Sequence, residues 1–138
     1  MDASVAAKWV LSGEPFEENA LKLKDNHLAG IAEICAPSLI MLEVANSLWK
    51  AIKLSRILEE DAYEALKILD DLGMTFHDLN WSEVSRGLSI ASKLDLTIYD
   101  AAYLFLSDKM KAQVITADDK LFEKAKKHFR VLHVKDYE

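Results

Sequence analysis

The sequence predicts an α/β fold with helices on both faces of a parallel sheet. Three observations lead there. Stretches with helical apolar spacing alternate with short apolar runs. No two of these runs are joined by a two-residue hairpin signal. The runs also stop at acids or at helix starts, the edge where open α/β sheets carry their sites.

Only Met1 precedes Asp2, so any first strand is very short. Ser4 to Leu11, "SVAAKWVL", suits a short helix that Gly13 and Pro15 end. Phe16, Ala20, Leu23, His27 and Ile31 recur at helical spacing, which predicts an amphipathic helix over 16–30. "EICAP" is a brief strand closed by Pro37, and Ser38 is placed to N-cap a helix through "LIMLEVANSLWKAIK". From Arg56 to Gly73 runs a further helix, with Ala62, Leu66, Leu69 and Leu72 as its stripe and Gly73 as its stop. "MTFHDL" alternates like a strand. Asn80 and Glu83 form a capping-box signature before a helix whose buried side is Val84, Leu88, Ala91 and Leu94. The stretch "LTIYDAAYLFLSDKMKAQVITADDKLF" reads as a turn, a helix opening near Asp100, a strand, and a helix opening beside Asp118 and Asp119. Leu121, Ala125 and Phe129 mark that last helix as a long one, and "RVLHV" closes the chain as a strand.

At 138 residues the chain is expected to form one domain, 1–138, with a real core. A hydrophobic share of 51% and a charged share of 29% exclude a disordered chain. The formal charge of −6 argues against a surface coated for nucleic acid, so phosphate contacts must come from a local basic patch or bound metal. One cysteine, Cys35, excludes an intramolecular disulfide and a multi-cysteine zinc site, and suits a core position in a reducing compartment. No run is long and apolar enough for a membrane span, and "MDASVAAKWV" lacks a signal peptide's basic and apolar regions. A cytoplasmic protein is the expectation.

Four acids stand out. Asp2 and Asp118 each follow a predicted strand, while Glu43 and Asp100 lie early in helices after extended segments. Each alone reads equally as a helix cap or a solvated charge. Glu43, however, interrupts an apolar half-helix, and Leu39, Ile40, Asn46 and Ser47 at its i±3 and i±4 positions offer no basic partner. In a parallel sheet all four transitions fall at one edge. Two unit charges ~4 Å apart repel by roughly 4 kcal/mol at an effective dielectric of 20. Four gathered carboxylates would therefore take up protons or hold a cation, and oxygen ligands alone favour Mg²⁺ or Mn²⁺ over zinc. Asp119 points elsewhere and reads as a first-turn acid complementing the helix dipole. His27, His77, His128 and His133 have no metal-ligand spacing and read as packing or surface residues.

"MDAS", "SLIMLEVANSLWK", "LTIYDAAYLFLS" and "VITADDKLF", in that order, resemble the acidic motifs of PIN domains, and most of all those of VapC ribonuclease toxins. The resemblance covers essentially the whole chain. It implies a three-layer α/β/α sandwich with a parallel sheet of strand order 3-2-1-4-5, in which several apolar residues ordinarily precede the first acid. It implies that Asp2, Glu43, Asp100 and Asp118 bind Mg²⁺ or Mn²⁺ and carry catalysis. Ser4, Thr116 and Asn46 would support them; Asp119, by its own position beside Asp118, reads as a supporting or structural acid. The activity implied is metal-dependent hydrolysis of RNA, with a homodimer and a VapB-type antitoxin as partners. A PIN nuclease of RNA processing and a catalytically silent module of the same fold are the alternatives.

Basic residues cluster at Lys50, Lys53 and Arg56, and again at Lys120, Lys124, Lys126, Lys127 and Arg130. They read as solvated helix faces, or, for Lys50, Lys53, Arg56 and Lys120, as guides for an RNA backbone. Leu48, Trp49, Ile52, Tyr63, Trp81 and "AAYLFL" form an apolar excess whose default destination is the core.

Overall fold

A computed structural model describes all 138 residues. The short first helix α1 (Ala3–Ala6) tightens into a 3₁₀ turn over Ala7–Trp9, where the Trp9 indole donates to the Ala20 carbonyl at 2.7 Å. The amphipathic α2 (Glu17–Leu28) and the strand β1 (Cys35–Pro37) follow as the residue pattern predicts. Next come α3 (Ile40–Lys53), α4 (Glu59–Asp71) and β2 (Thr75–His77). The Asn80–Glu83 capping box opens α5 (Trp81–Leu94), which leads directly to α6 (Ile98–Met110). Strand β3 (Val114–Thr116), α7 (Asp119–Ala125) and β4 (Val131–His133) complete the chain.

The strands are parallel but form two pairs. Cys35 stands opposite Thr75 in the β1–β2 pair, and Val114 opposite Val131 in the β3–β4 pair. Between the pairs lies only the amino terminus. The Met1 ammonium donates to the Cys35 carbonyl at 3.4 Å and the Asp2 amide to that of Ile115 at 3.1 Å. Two residues are too few for a ladder, so the predicted parallel sheet appears in two pieces.

Four local expectations change. Ser38 does not cap α3; its amide pairs with the His77 carbonyl at 3.0 Å and its hydroxyl donates to Asp78, which extends the strand pairing instead. The last helix is short, because the chain must turn after Ala125 to bring Val131 alongside Val114. On α5 the buried positions are Gly87 and Ala91, whereas Leu88 is exposed. Small residues there admit α6 closely: a Cβ at Gly87 would stand 3.4 Å from the Ile98 side chain. Finally, the core takes Leu48 and the whole run Ala101–Leu106 but leaves Trp49, Tyr63 and Trp81 at the surface.

A helix buried all round is the natural centre of a layered fold, and α6 has seven consecutive buried residues from Ala101 to Ser107. Tyr103 packs into the cluster around Val5, Leu23, Ile40 and Leu48, while Leu104 joins Val114, Leu121 and Ala125. The Glu83 carboxylate ties α5 to α6 by accepting from Lys109 at 2.5 Å, and that contact holds its pKa down to about 2. No helix is long and apolar enough to cross a membrane. Replacing Leu104 by Ala is expected to cost about 2–5 kcal/mol of stability, the range for buried Leu truncation, read from the urea midpoint.

Candidate functional site

Asp2 is buried, and four donors meet its carboxylate. Oδ1 accepts from the Ser4 amide (3.1 Å), the Ser4 hydroxyl (2.5 Å) and the Val5 amide (3.3 Å), and Oδ2 accepts from the Thr116 hydroxyl. The same Thr116 oxygen accepts from the Asp118 amide at 2.9 Å, and the Ser4 oxygen accepts from the Ala117 amide at 2.8 Å. A hydroxyl both donates and accepts, so two hydroxyls suffice to lock the start of the chain to the exit of β3. Burial raises the Asp2 pKa, opposed by the hydrogen bonds from Ser4 and Thr116. Burial likewise lowers the pKa of the Met1 ammonium, and the Asp2 charge opposes that shift.

Glu43 sits in the first turn of α3, half-buried, with Oε2 accepting from the Tyr103 hydroxyl at 2.5 Å. Burial raises its pKa, the Tyr103 hydrogen bond lowers it, and the negative charges of Asp2 and Asp100 raise it further. The phenol of Tyr103 is pushed far above its ordinary pKa, first by burial and then by Glu43, so it stays a neutral donor. Asp100 occupies the first turn of α6, where its amide is capped by Thr97 Oγ1 at 3.1 Å. Asp118 is exposed and N-caps α7, its Oδ1 accepting from the Leu121 amide at 3.0 Å.

The charges of Asp2 and Asp100 thus both reach Glu43, and Asp118 is joined to Asp2 through the Thr116 hydroxyl. In this arrangement no three His, Cys, Asp or Glu side chains are grouped so as to hold a metal ion. The donor chemistry nevertheless fits a hard cation. The donors are carboxylate oxygens, and the burial that disfavours the ionised Asp2 and Glu43 is the penalty a divalent cation would offset.

The remaining site candidates divide. Ser4 and Thr116 touch Asp2. Asn46 is exposed, and it is Ser47 that donates back to the Glu43 carbonyl at 3.2 Å. Asp119 turns towards buried His133, its Oδ1 3.2 Å from Nε2. The His133 Nδ1 accepts from the Lys135 amide, which leaves the proton on Nε2, a buried atom with no hydrogen-bond partner, and Phe16 and Phe122 pack edge-on against the ring. Arg56 is committed to Glu14 at 2.7 Å and Lys53 lies over the Trp49 ring. Lys50 and Lys120 are exposed. Tyr103 was not among the sequence candidates. Its signal is the i, i+3 spacing from Asp100, which puts both on one face of α6.

Residues 1–127 match the PIN domain. The chain is 29% identical over 125 residues to Ribonuclease VapC3 of Pyrobaculum aerophilum, covering 90% of this chain and 92% of that protein. It is 30% identical over 88 residues to Exonuclease VapC9 of the same organism, 64% of each chain. The solved structure of PAE2754 from Pyrobaculum aerophilum superposes with a TM-score of 0.70 at 23% identity, covering 97% of this chain and 87% of that one.

Raised carboxylate pKa values have a signed consequence. Between the ordinary carboxylate range and the raised values of Asp2 and Glu43, the folded chain binds more protons than the unfolded one. Stability in chelator is therefore expected to fall as pH rises above the ordinary carboxylate range, and Glu43→Gln should flatten the slope; denaturant midpoints measured as the pH is raised check it. Thr116→Val, which strands both Asp2 Oδ2 and the Asp118 amide, is expected to cost about 1–3 kcal/mol in the same assay.

Proposed function

This chain belongs to the PIN-domain family, and on that premise we propose that it is a metal-dependent endoribonuclease serving as the toxin of a VapBC-type pair. The observation that carries the reading is that the charges of Asp2 and Asp100 both reach Glu43, with Asp118 hydrogen-bonded to Asp2 through Thr116. Asp2, Glu43, Asp100 and Asp118 would hold Mg²⁺ or Mn²⁺. When bound, such an ion acidifies a water and neutralises charge developing on the phosphate oxygens. The protein's part is positioning. Ser4 and Thr116 fix Asp2, Tyr103 fixes Glu43, and the helix starts of α6 and α7 fix Asp100 and Asp118. Lys120, exposed beside Asp118, and Lys50 on α3 are the cations proposed to meet the RNA backbone. A histidine-pair mechanism finds no support: both ring nitrogens of His27 face backbone carbonyls, and His133 is buried.

The rest of the proposal follows the same premise. Residues 1–138 form one cytoplasmic domain. The succession β2, β1, Met1–Asp2, β3, β4 supports the strand order 3-2-1-4-5. A VapB-type antitoxin and a second copy of the chain are the proposed protein partners. An apolar groove between α3 and α4, where Met41, Leu42 and Leu66 are exposed, supports a protein-binding face.

Cleavage of RNA in the presence of Mn²⁺ tests the reading. Asp100→Asn and Asp118→Asn are each expected to lower the rate by at least about 100-fold, and wild-type rates in both would sink it. Circular RNA should be cut as well as linear RNA; cleavage of linear RNA alone would favour an exonuclease, the activity in the name of VapC9. Lys50→Gln and Lys120→Gln should each reduce the slope of log binding constant against log salt by about 0.7, the single-strand value per phosphate contact.

A further inference from the structure

A hollow lies away from the acids, at the entry ends of β3 and β4, where the Val114 amide meets the Arg130 carbonyl at 2.9 Å. It encloses about 490 Å³, within the range of pockets that take a small organic ligand. Lys111, Lys127 and Arg130 line it, all exposed and none of them ion-paired. Lys126, at the same rim, is committed to Glu123 at 2.6 Å. Three unpaired cations around one hollow repel one another, and an anion removes that cost. The hollow also holds the rings of Phe129 and His128, faces on which a base can stack. Its one acid, Asp108, is exposed and pairs with none of those cations. A carboxylate only accepts hydrogen bonds, so it repels a phosphate but suits a hydroxyl donor. Cations, rings and an acceptor side by side match the phosphate, base and ribose of one nucleotide.

A path joins this hollow to the acids. Lys120, Lys124 and Lys127 stand at i, i+4 and i+7, so they form one stripe along α7 and the turn after it. That turn keeps helical bonding, with the Phe129 amide on the Ala125 carbonyl at 3.0 Å. Lys124 donates to Asp95 at 2.5 Å and the charge of Lys120 reaches the same carboxylate, which puts both lysines on one side of the helix. The stripe begins beside Asp118, the cap of α7, and ends at the hollow. From Asp118 to Lys127 the rise is roughly 14 Å at ~1.5 Å per residue, about four nucleotides at ~3.4 Å each along a strand. We propose that the hollow holds one nucleotide of a single-stranded RNA whose backbone follows the α7 lysines, about four nucleotides from the acids. A single strand is required because only an unpaired base can turn onto Phe129 or His128. RNA is required because only ribose carries the 2′-hydroxyl that Asp108 can accept. An acidic protein segment would leave the rings and Asp108 unmatched.

The ligand class rests on the nuclease reading, but the test reads binding alone, in chelator, where metal-dependent cleavage cannot interfere. The probe is a fluorescein-labelled single-stranded RNA of about twelve nucleotides, long enough to run the length of the stripe, titrated with the whole chain by anisotropy at several salt concentrations. Replacing two cations at once, Lys127→Gln with Arg130→Gln, should lower the slope of log binding constant against log salt by about 1.4, two single-strand contacts. Over the decade below ~1 M salt that slope change is a loss of about 25-fold in affinity. The unsubstituted chain should bind this RNA more tightly than DNA of the same sequence, and Asp108→Ala should shrink that preference towards one. An unchanged slope in the double variant, or a preference that Asp108→Ala leaves as it was, overturns the proposal. Equal competition by a polyglutamate of the same charge would mark a protein-binding face and overturns it too. A chain that binds RNA as described yet cuts none counts against the nuclease reading alone. One that cuts RNA while the double variant keeps its slope counts against this pocket alone.

Discussion

The buried carboxylate of Asp2 is the constraint on which the rest depends. Taking a carboxylate out of water costs several kcal/mol unless its lone pairs are met. Here the Ser4 and Val5 amides and the Ser4 and Thr116 hydroxyls meet them, and the donors come from both ends of the sequence. With the Asp2 amide on Ile115 and the Met1 ammonium on Cys35, this small network is the only backbone link between the two strand pairs. The other connection is α6, whose side chains enter both hydrophobic clusters. Position in the fold and charge at the site are thus one problem solved by one group of residues.

What the sequence made legible was whatever local chemistry determines. The capping box at Asn80 and Glu83, the stop at Gly73, the strand that Pro37 closes and the acids at helix starts all depend on neighbours within four residues. What it concealed depends on partners far along the chain. Tyr103 meets Glu43 across 60 positions, and the Ser38 hydroxyl donates to Asp78 across 40 instead of capping the helix that follows it. Leu88 has the period of a buried residue but is exposed, because the close approach of α6 falls on Gly87. Trp81 at 88% exposure makes the same point: apolar character alone does not say which surfaces meet.

Charge is distributed with a similar economy. Arg56 pairs with Glu14, Lys109 with Glu83, Lys124 with Asp95 and Lys126 with Glu123, so these cations are spent on surface acids. None of them reaches Asp2, Glu43 or Asp100. Lys111, Lys127, His128 and Arg130 instead line a pocket at the entry ends of β3 and β4, the opposite edge from Asp118. The acidic edge therefore keeps a local negative field that the surface ion pairs do not cancel.

The four acids nonetheless differ in what they offer a cation. A carboxylate has about four lone-pair sites. Tyr103 occupies one oxygen of Glu43, and the cap on Leu121 occupies one oxygen of Asp118, so each keeps a second oxygen. For Asp100 the recorded bond involves its amide, not its carboxylate. Asp2 is the most heavily bonded, with three donors on Oδ1 and one on Oδ2. Ligation by Asp2 would therefore use Oδ2, which has a single hydroxyl partner and keeps a second lone-pair site. On the proposed reading, Glu43, Asp100 and Asp118 would each offer a cation an oxygen outside this network, while Asp2, tied to Ser4, Val5 and Thr116, also joins the two strand pairs.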